Sequence, residues 1–91
     1  MVVLSLERVP PSLRGELSRW MVEPRAGVFL GNVSAMVRDK IWEQVCADAK
    51  AGAALLAYST NNEQGYGFRI HGDPSRLAEE FDGLMLIRKP K

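Results

Sequence analysis

Apolar and polar positions follow two rhythms along this chain. Residues 2–6 are apolar apart from Ser5, which predicts a central strand buried on both faces. Pro10 and Pro11 stop that strand and favour a helix start. Leu13, Leu17, Trp20 and Met21 follow at helical spacing as one apolar stripe. Pro24 ends this helix, because a proline disfavours helical geometry in the residue before it. Residues 27–33 read as a short strand, with Val28 and Leu30 on one side and Phe29 on the other. Ser34 is placed to cap a second helix. In that helix Val37, Ile41, Val45 and Ala49 recur every four residues, with Trp42 and Cys46 beside them, and Gly52 ends it. Residues 53–58 make the next buried strand, and residues 61–65 a turn. Tyr66, Phe68 and Ile70 alternate with Gly67 and Arg69, the period of a half-buried strand. Residues 72–75 form a loop, residues 84–87 a last apolar strand, and Arg88 to Lys91 a polar tail.

Two helices among several strands predict an α+β two-layer sandwich, with both helices on one face of the sheet. Val2, Leu4, Leu55 and Leu84 cannot all point at two helices. The other sheet face is therefore expected to be apolar, and on a small domain such a face marks an interface, here a homodimer.

Composition narrows the picture without choosing a function. The chain has 91 residues, the size of one domain spanning residues 1–91 with a short C-terminal tail. Its 46% apolar content suits a folded domain. Twelve basic and eleven acidic residues leave a net charge of +1, so only local patches can recognise nucleic acid. The single Cys46 excludes an internal disulfide, and a reducing cytoplasm is the expected location. No apolar run approaches the ~20 residues of a membrane span. Residues 1–6 are apolar but short and lack the basic lead of a signal peptide.

Few residues advertise chemistry. Glu7 closes the first strand, a place where ligands and catalytic groups gather, although a solvated carboxylate is the plainer reading. Glu79, Glu80 and Asp82 form an acidic cluster in a loop or short helical turn, with no His or Cys at metal-ligand spacing. His71, the only histidine, has no evident nucleophile to serve. Cys46 reads as a small hydrophobe, and Trp20 and Trp42 as core anchors on their helix stripes. Gly65 and Gly67 straddle Tyr66, but no helix follows, so they do not cradle phosphate. Arg8, Arg14, Arg25 and Arg76 are open to two readings. A helix start beside an arginine is a sound phosphate site. Equally, these residues balance Glu7, Glu16 and Glu23 in weak surface pairs.

The run Pro10, Pro11, Leu13, Arg14, Gly15, then Arg25, Ala26, Gly27, Val28, then Ile41, Trp42, Glu43, Gln44, and finally Asp82, Gly83, Leu84 resembles CRISPR-associated protein two in its type I-E branch. This is the small subunit of the CRISPR spacer-acquisition complex. The resemblance runs from the first strand through Leu84. It implies a ferredoxin-like fold and a symmetric homodimer that joins dimers of the CRISPR integrase. It also implies binding of a short double-stranded prespacer DNA in CRISPR defence. By resemblance Arg14 and Arg76 hold the DNA backbone. Ser12 and Ser75 stand where relatives carry further DNA-facing arginines, so a hydroxyl replaces a charge there, and Arg8, Arg69 or Lys91 are substitutes. Glu7 matches an acidic residue that elsewhere in the family is assigned to Mg²⁺ and endonuclease activity. Two readings follow. One is a scaffold that needs no metal; the other is a metal-dependent endonuclease acting on RNA or DNA. A small-molecule sensor on the same sandwich is a third, weakened by the lack of a Gly-rich loop.

Overall fold

Val2, Leu4 and Leu6 are buried while Val3 and Ser5 are only half-buried, so the first apolar run has a core face and a second face. It forms strand β1 (Val2–Leu6) at the centre of the sheet in this computed structural model. The structure describes the backbone of residues 1–72, 77–81 and 84–88, and the side chains of residues 1–72. After β1 come α1 (Pro11–Leu17), β2 (Val22–Arg25), β3 (Val28–Gly31) and α2 (Ala35–Ala47). A 3-10 turn (Ala49–Ala51), β4 (Ala54–Ser59) and β5 (Tyr66–His71) follow, then a hairpin of β6 (Leu77–Phe81) and β7 (Leu84–Arg88).

The five-stranded sheet has the order β2-β3-β1-β4-β5, and every described pairing is antiparallel. Each helix links strands that are not sheet neighbours: α1 carries β1 to β2, and α2 carries β3 to β4. With both helices on one face, this is the ferredoxin-like α+β sandwich. The β4–β5 hairpin adds the fifth strand.

Helix stripes and strand alternation meet in one core. Leu13 and Leu17 of α1 and Ile41 and Val45 of α2 cluster with Leu4, Leu6, Phe29 and Leu56 of the sheet. Each such side chain contributes roughly 1.5–3 kcal/mol when withdrawn from water. Ser34 caps α2 as expected, its hydroxyl accepting the Val37 N–H at 3.2 Å.

Four expectations need correction. Helix α1 stops at Leu17, and Trp20 lies beyond it, 46% exposed; Met21 is the residue buried in the core. Trp20 is therefore not a core anchor. Pro24 does not merely end a helix, because it lies within β2. The sheet tolerates it there since β2 is an edge strand, where a missing N–H costs no ladder bond. Helix α2 ends at Ala47, and the chain turns through the 3-10 segment to Gly52 at φ +71°. Glu79 and Glu80 belong to β6, paired with β7, rather than to a loop or helical turn. Asp82 lies outside the described residues.

The second sheet face carries Val3, Val28, Leu30, Leu55 and Ala57, placed together by register. Val22 joins them opposite Leu30, and Ile70 opposite Leu55. None of these belongs to the helix-side core, and Val22 and Leu55 are exposed. Leu55 thus sits on the apolar face as expected, while Val2 and Leu4 face the helices; the side chain of Leu84 is not described.

Candidate nucleic-acid interface

Glu7 follows β1 and faces the turn that enters β4. Its backbone N–H donates to Ala53 O at 2.8 Å, and its Oε1 accepts the Ala53 N–H at 3.2 Å. Arg8 continues the seam: its backbone N–H donates to Ala51 O at 3.0 Å and its Nε to Lys50 O at 3.1 Å. Its guanidinium lies 3.7 Å from the same Glu7 oxygen. Any side chain at Gly52 would collide with the Glu7 carboxylate, which, with the positive φ, accounts for glycine there. Glu7 thus ties the end of β1 to the α2–β4 connection. A hard divalent ion needs about six oxygen ligands. Here one carboxylate is engaged by an N–H and flanked by a cation, and among the described residues no group of three His, Cys, Asp or Glu can hold a metal. Within one chain these residues do not fit a Mg²⁺ site.

The start of α1 offers fewer donors than a usual helix end. Pro11 has no N–H, and Pro10 supplies no side-chain cap. Ser12 lines an open groove with Arg8, Pro10, Asp48 and Lys50. Arg14, two residues on, points elsewhere, since helix positions i and i+2 do not share a face. Its Nε and Nη2 donate to Glu23 Oε1 and Oε2 at 3.0 and 3.2 Å, a two-pronged pair. Glu23 Oε2 also accepts the Gly27 N–H at 3.0 Å. That backbone bond first, and Arg14 second, hold the Glu23 carboxyl below the usual carboxylate range. The structure therefore does not bring Ser12 and Arg14 together, and it gives Arg14 a partner of its own. Ser75, Arg76 and Lys91 lie outside the described residues.

The opposite edge of the sheet holds a cationic cluster. Arg38 of α2 lies over the Tyr58 ring of β4, 4.1 Å from its centroid, and Arg69 of β5 lies 5.6 Å from it. Both converge on one oxygen: Arg38 Nε is 3.1 Å and Arg69 Nη1 3.0 Å from Asp39 Oδ1. Desolvation opposes ionisation of Asp39, but the two arginines outweigh it and hold the carboxyl below its usual range. Gly67 makes room for the ring, since a Cβ there would stand 3.0 Å from Tyr58. The period of β5 was legible, but its polar side faces the helix layer: Arg69 pairs opposite the buried Leu56. The adjacent Arg38 and Asp39 look like ordinary helix surface in the sequence, and only the β4–β5 register brings Arg69 to them.

Beside this cluster His71, exposed at the end of β5, stands edge-on to Trp42 at 6.4 Å. Trp42 is half-buried against the core, as its stripe implied. Cys46 is half-buried, and burial raises its thiol pKa despite the nearby Arg69 charge.

Residues 1–86 match the model of a family described as CRISPR-associated protein (Cas_Cas2CT1978). The chain belongs to that family. The match spans both arginine clusters, Glu7 and the whole five-stranded sheet, so the CRISPR-associated family context applies to the sandwich itself. No described helix is long and apolar enough to cross a membrane.

Proposed function

We propose that this chain is a cytoplasmic CRISPR adaptation subunit of the type I-E branch. In this reading it is a homodimeric scaffold that joins integrase dimers and holds double-stranded prespacer DNA for integration. The observation that carries the reading is the apolar second sheet face of Val3, Val28, Leu30, Leu55 and Ala57 in a member of a CRISPR-associated family. A small domain gains stability by burying such a face against a second copy. Arg14, Arg76, Ser12 and Ser75 are the residues proposed to face the DNA backbone, with phosphate competing against Glu23 for the Arg14 guanidinium. The endonuclease reading draws no support from Glu7, whose carboxylate bonds Ala53, and no step here uses Mg²⁺.

Light scattering at micromolar concentration tests the dimer. The expected mass is twice the 10.1 kDa of one chain. Leu55→Lys, which sets a charge on the apolar face, is expected to yield a folded monomer that no longer co-elutes with a purified CRISPR integrase. A wild-type monomer, or a Leu55→Lys dimer, overturns the reading.

A further inference from the structure

The cluster on α2, β4 and β5 has a charge surplus. Asp39 supplies one negative charge and Arg38 and Arg69 supply two positive ones. The flanking exposed charges of α2, Lys40 and Glu43, cancel each other. Each guanidinium has five N–H donors in a fixed fork, and Asp39 takes one from each arginine. The Tyr58 ring fixes the plane of the Arg38 guanidinium, and Asp39 fixes the distance between the two cations. Less rotational freedom is then left to lose on binding an anion. Arg38 and Arg69 keep 17% and 34% of their side-chain surface exposed, so the cluster is partly desolvated yet reachable.

We propose that Arg38 and Arg69 form a phosphodiester-binding fork, a nucleic-acid contact separate from that of Arg14. The proposal rests on the DNA-holding role inferred above. A phosphodiester has two non-bridging oxygens and one negative charge, which matches the single positive charge that one carboxylate leaves on two guanidiniums. Arg14 reaches β2, one edge of the sheet, whereas Arg69 lies on β5, the other edge. An extended polyanion can engage the surplus charge at the β5 edge and compete with Glu23 for Arg14 at the β2 edge, which a single acidic side chain cannot do. The fork reads no base, so it adds affinity without sequence preference.

The test is fluorescence anisotropy of a labelled DNA duplex with the full chain across a salt series. Arg69→Gln is expected to weaken binding about five- to tenfold at low salt. It should also flatten the salt slope by about 0.9. Arg38→Gln should do the same. Arg69→Lys, which keeps the charge and loses the fork, is expected to fall between wild type and Arg69→Gln. Duplex binding by wild type that Arg69→Gln leaves unchanged overturns the fork alone. A wild-type chain that binds no duplex overturns both the fork and the DNA-holding role. Polyglutamate that displaces the labelled duplex as well as unlabelled duplex does also assigns the site to acidic protein and overturns the proposal. So does a loss in Arg69→Gln that Arg69→Lys fails to restore and that accompanies a lowered melting temperature.

Discussion

Arg14 and Arg69 are both half-exposed arginines bonded to a carboxylate, but the two edges of the sheet balance charge differently. On the β2 edge one arginine meets one carboxylate with two matched bonds, and that carboxylate also holds a backbone N–H of the β2–β3 turn. The charges cancel, and the pair doubles as a turn clamp. On the β5 edge two arginines share a single carboxylate oxygen above an aromatic ring. The charges do not cancel, and the ring rather than a backbone group does the positioning. An arginine's presence at a surface therefore says little about anion binding until its local counter-charge is counted.

The largest effect is expected from removing the ring's room. Gly67 is buried in β5, and a side chain there meets the Tyr58 ring before anything else. Gly67→Val is expected to destabilise the chain by about 2 kcal/mol through overpacking, even though valine suits a strand. For a chain of this size that lowers the melting temperature by roughly 10 °C. An unchanged melting temperature would show that the ring moves freely and does not hold the arginines in place.

A smaller effect isolates the contact between ring and cations. Tyr58→Leu keeps an apolar side chain against the core but removes the aromatic face under Arg38 and Arg69. The expected cost is about 1 kcal/mol, the scale of a partly desolvated cation–π contact. Combining it with Arg38→Gln is expected to cost less than the sum of the two single changes, which calorimetric melts of the four proteins can measure. Strict additivity would mean that ring and guanidinium are neighbours without coupling.

Much of the frame behind this comparison was legible in the sequence, and the exceptions have physical causes. The Ser34 cap and the four-residue recurrence from Val37 to Val45 are local signals that the structure keeps, whereas β5 forms a strand as its alternation predicts but buries Gly67 and Phe68 in succession. Strand β2 was hidden because Pro24 reads as a helix stop, and only its edge position makes a proline harmless there. Trp20 looked like core because the stripe was followed three residues past the real helix end. The plain reading of the arginines as surface partners holds for Arg8 with Glu7 and Arg14 with Glu23. The cluster on β5 was not legible at all. Arg38, Asp39, Tyr58 and Arg69 come from three elements, and only strand register assembles them.

The smallest expected effect is also the one that separates the two edges by pH. Folding holds Glu23 below its usual value of 4.5, chiefly through the Gly27 N–H and then Arg14. A carboxyl depressed by folding contributes stability above its unfolded value and loses it as pH falls through the folded one. The Arg14 edge should therefore begin to weaken as pH drops below 4.5. Asp39 is depressed from a usual value of 3.8, so its contribution should begin to fall only below that pH. Both pairs are solvent-accessible, which keeps the changes small and makes them shrink in salt. Melting temperatures taken from about pH 6 to about pH 2.5 at low salt read out both edges. Glu23→Gln is expected to flatten the acid decline from about pH 4.5 downward, and Asp39→Asn only from about pH 3.8 downward. If Asp39→Asn flattens the decline already above about pH 3.8, Asp39 is not held below its usual range and the two arginines do not act on it as a shared partner. If Glu23→Gln tracks wild type throughout, the Gly27 bond contributes no acid-sensitive stability and Glu23 is no turn clamp.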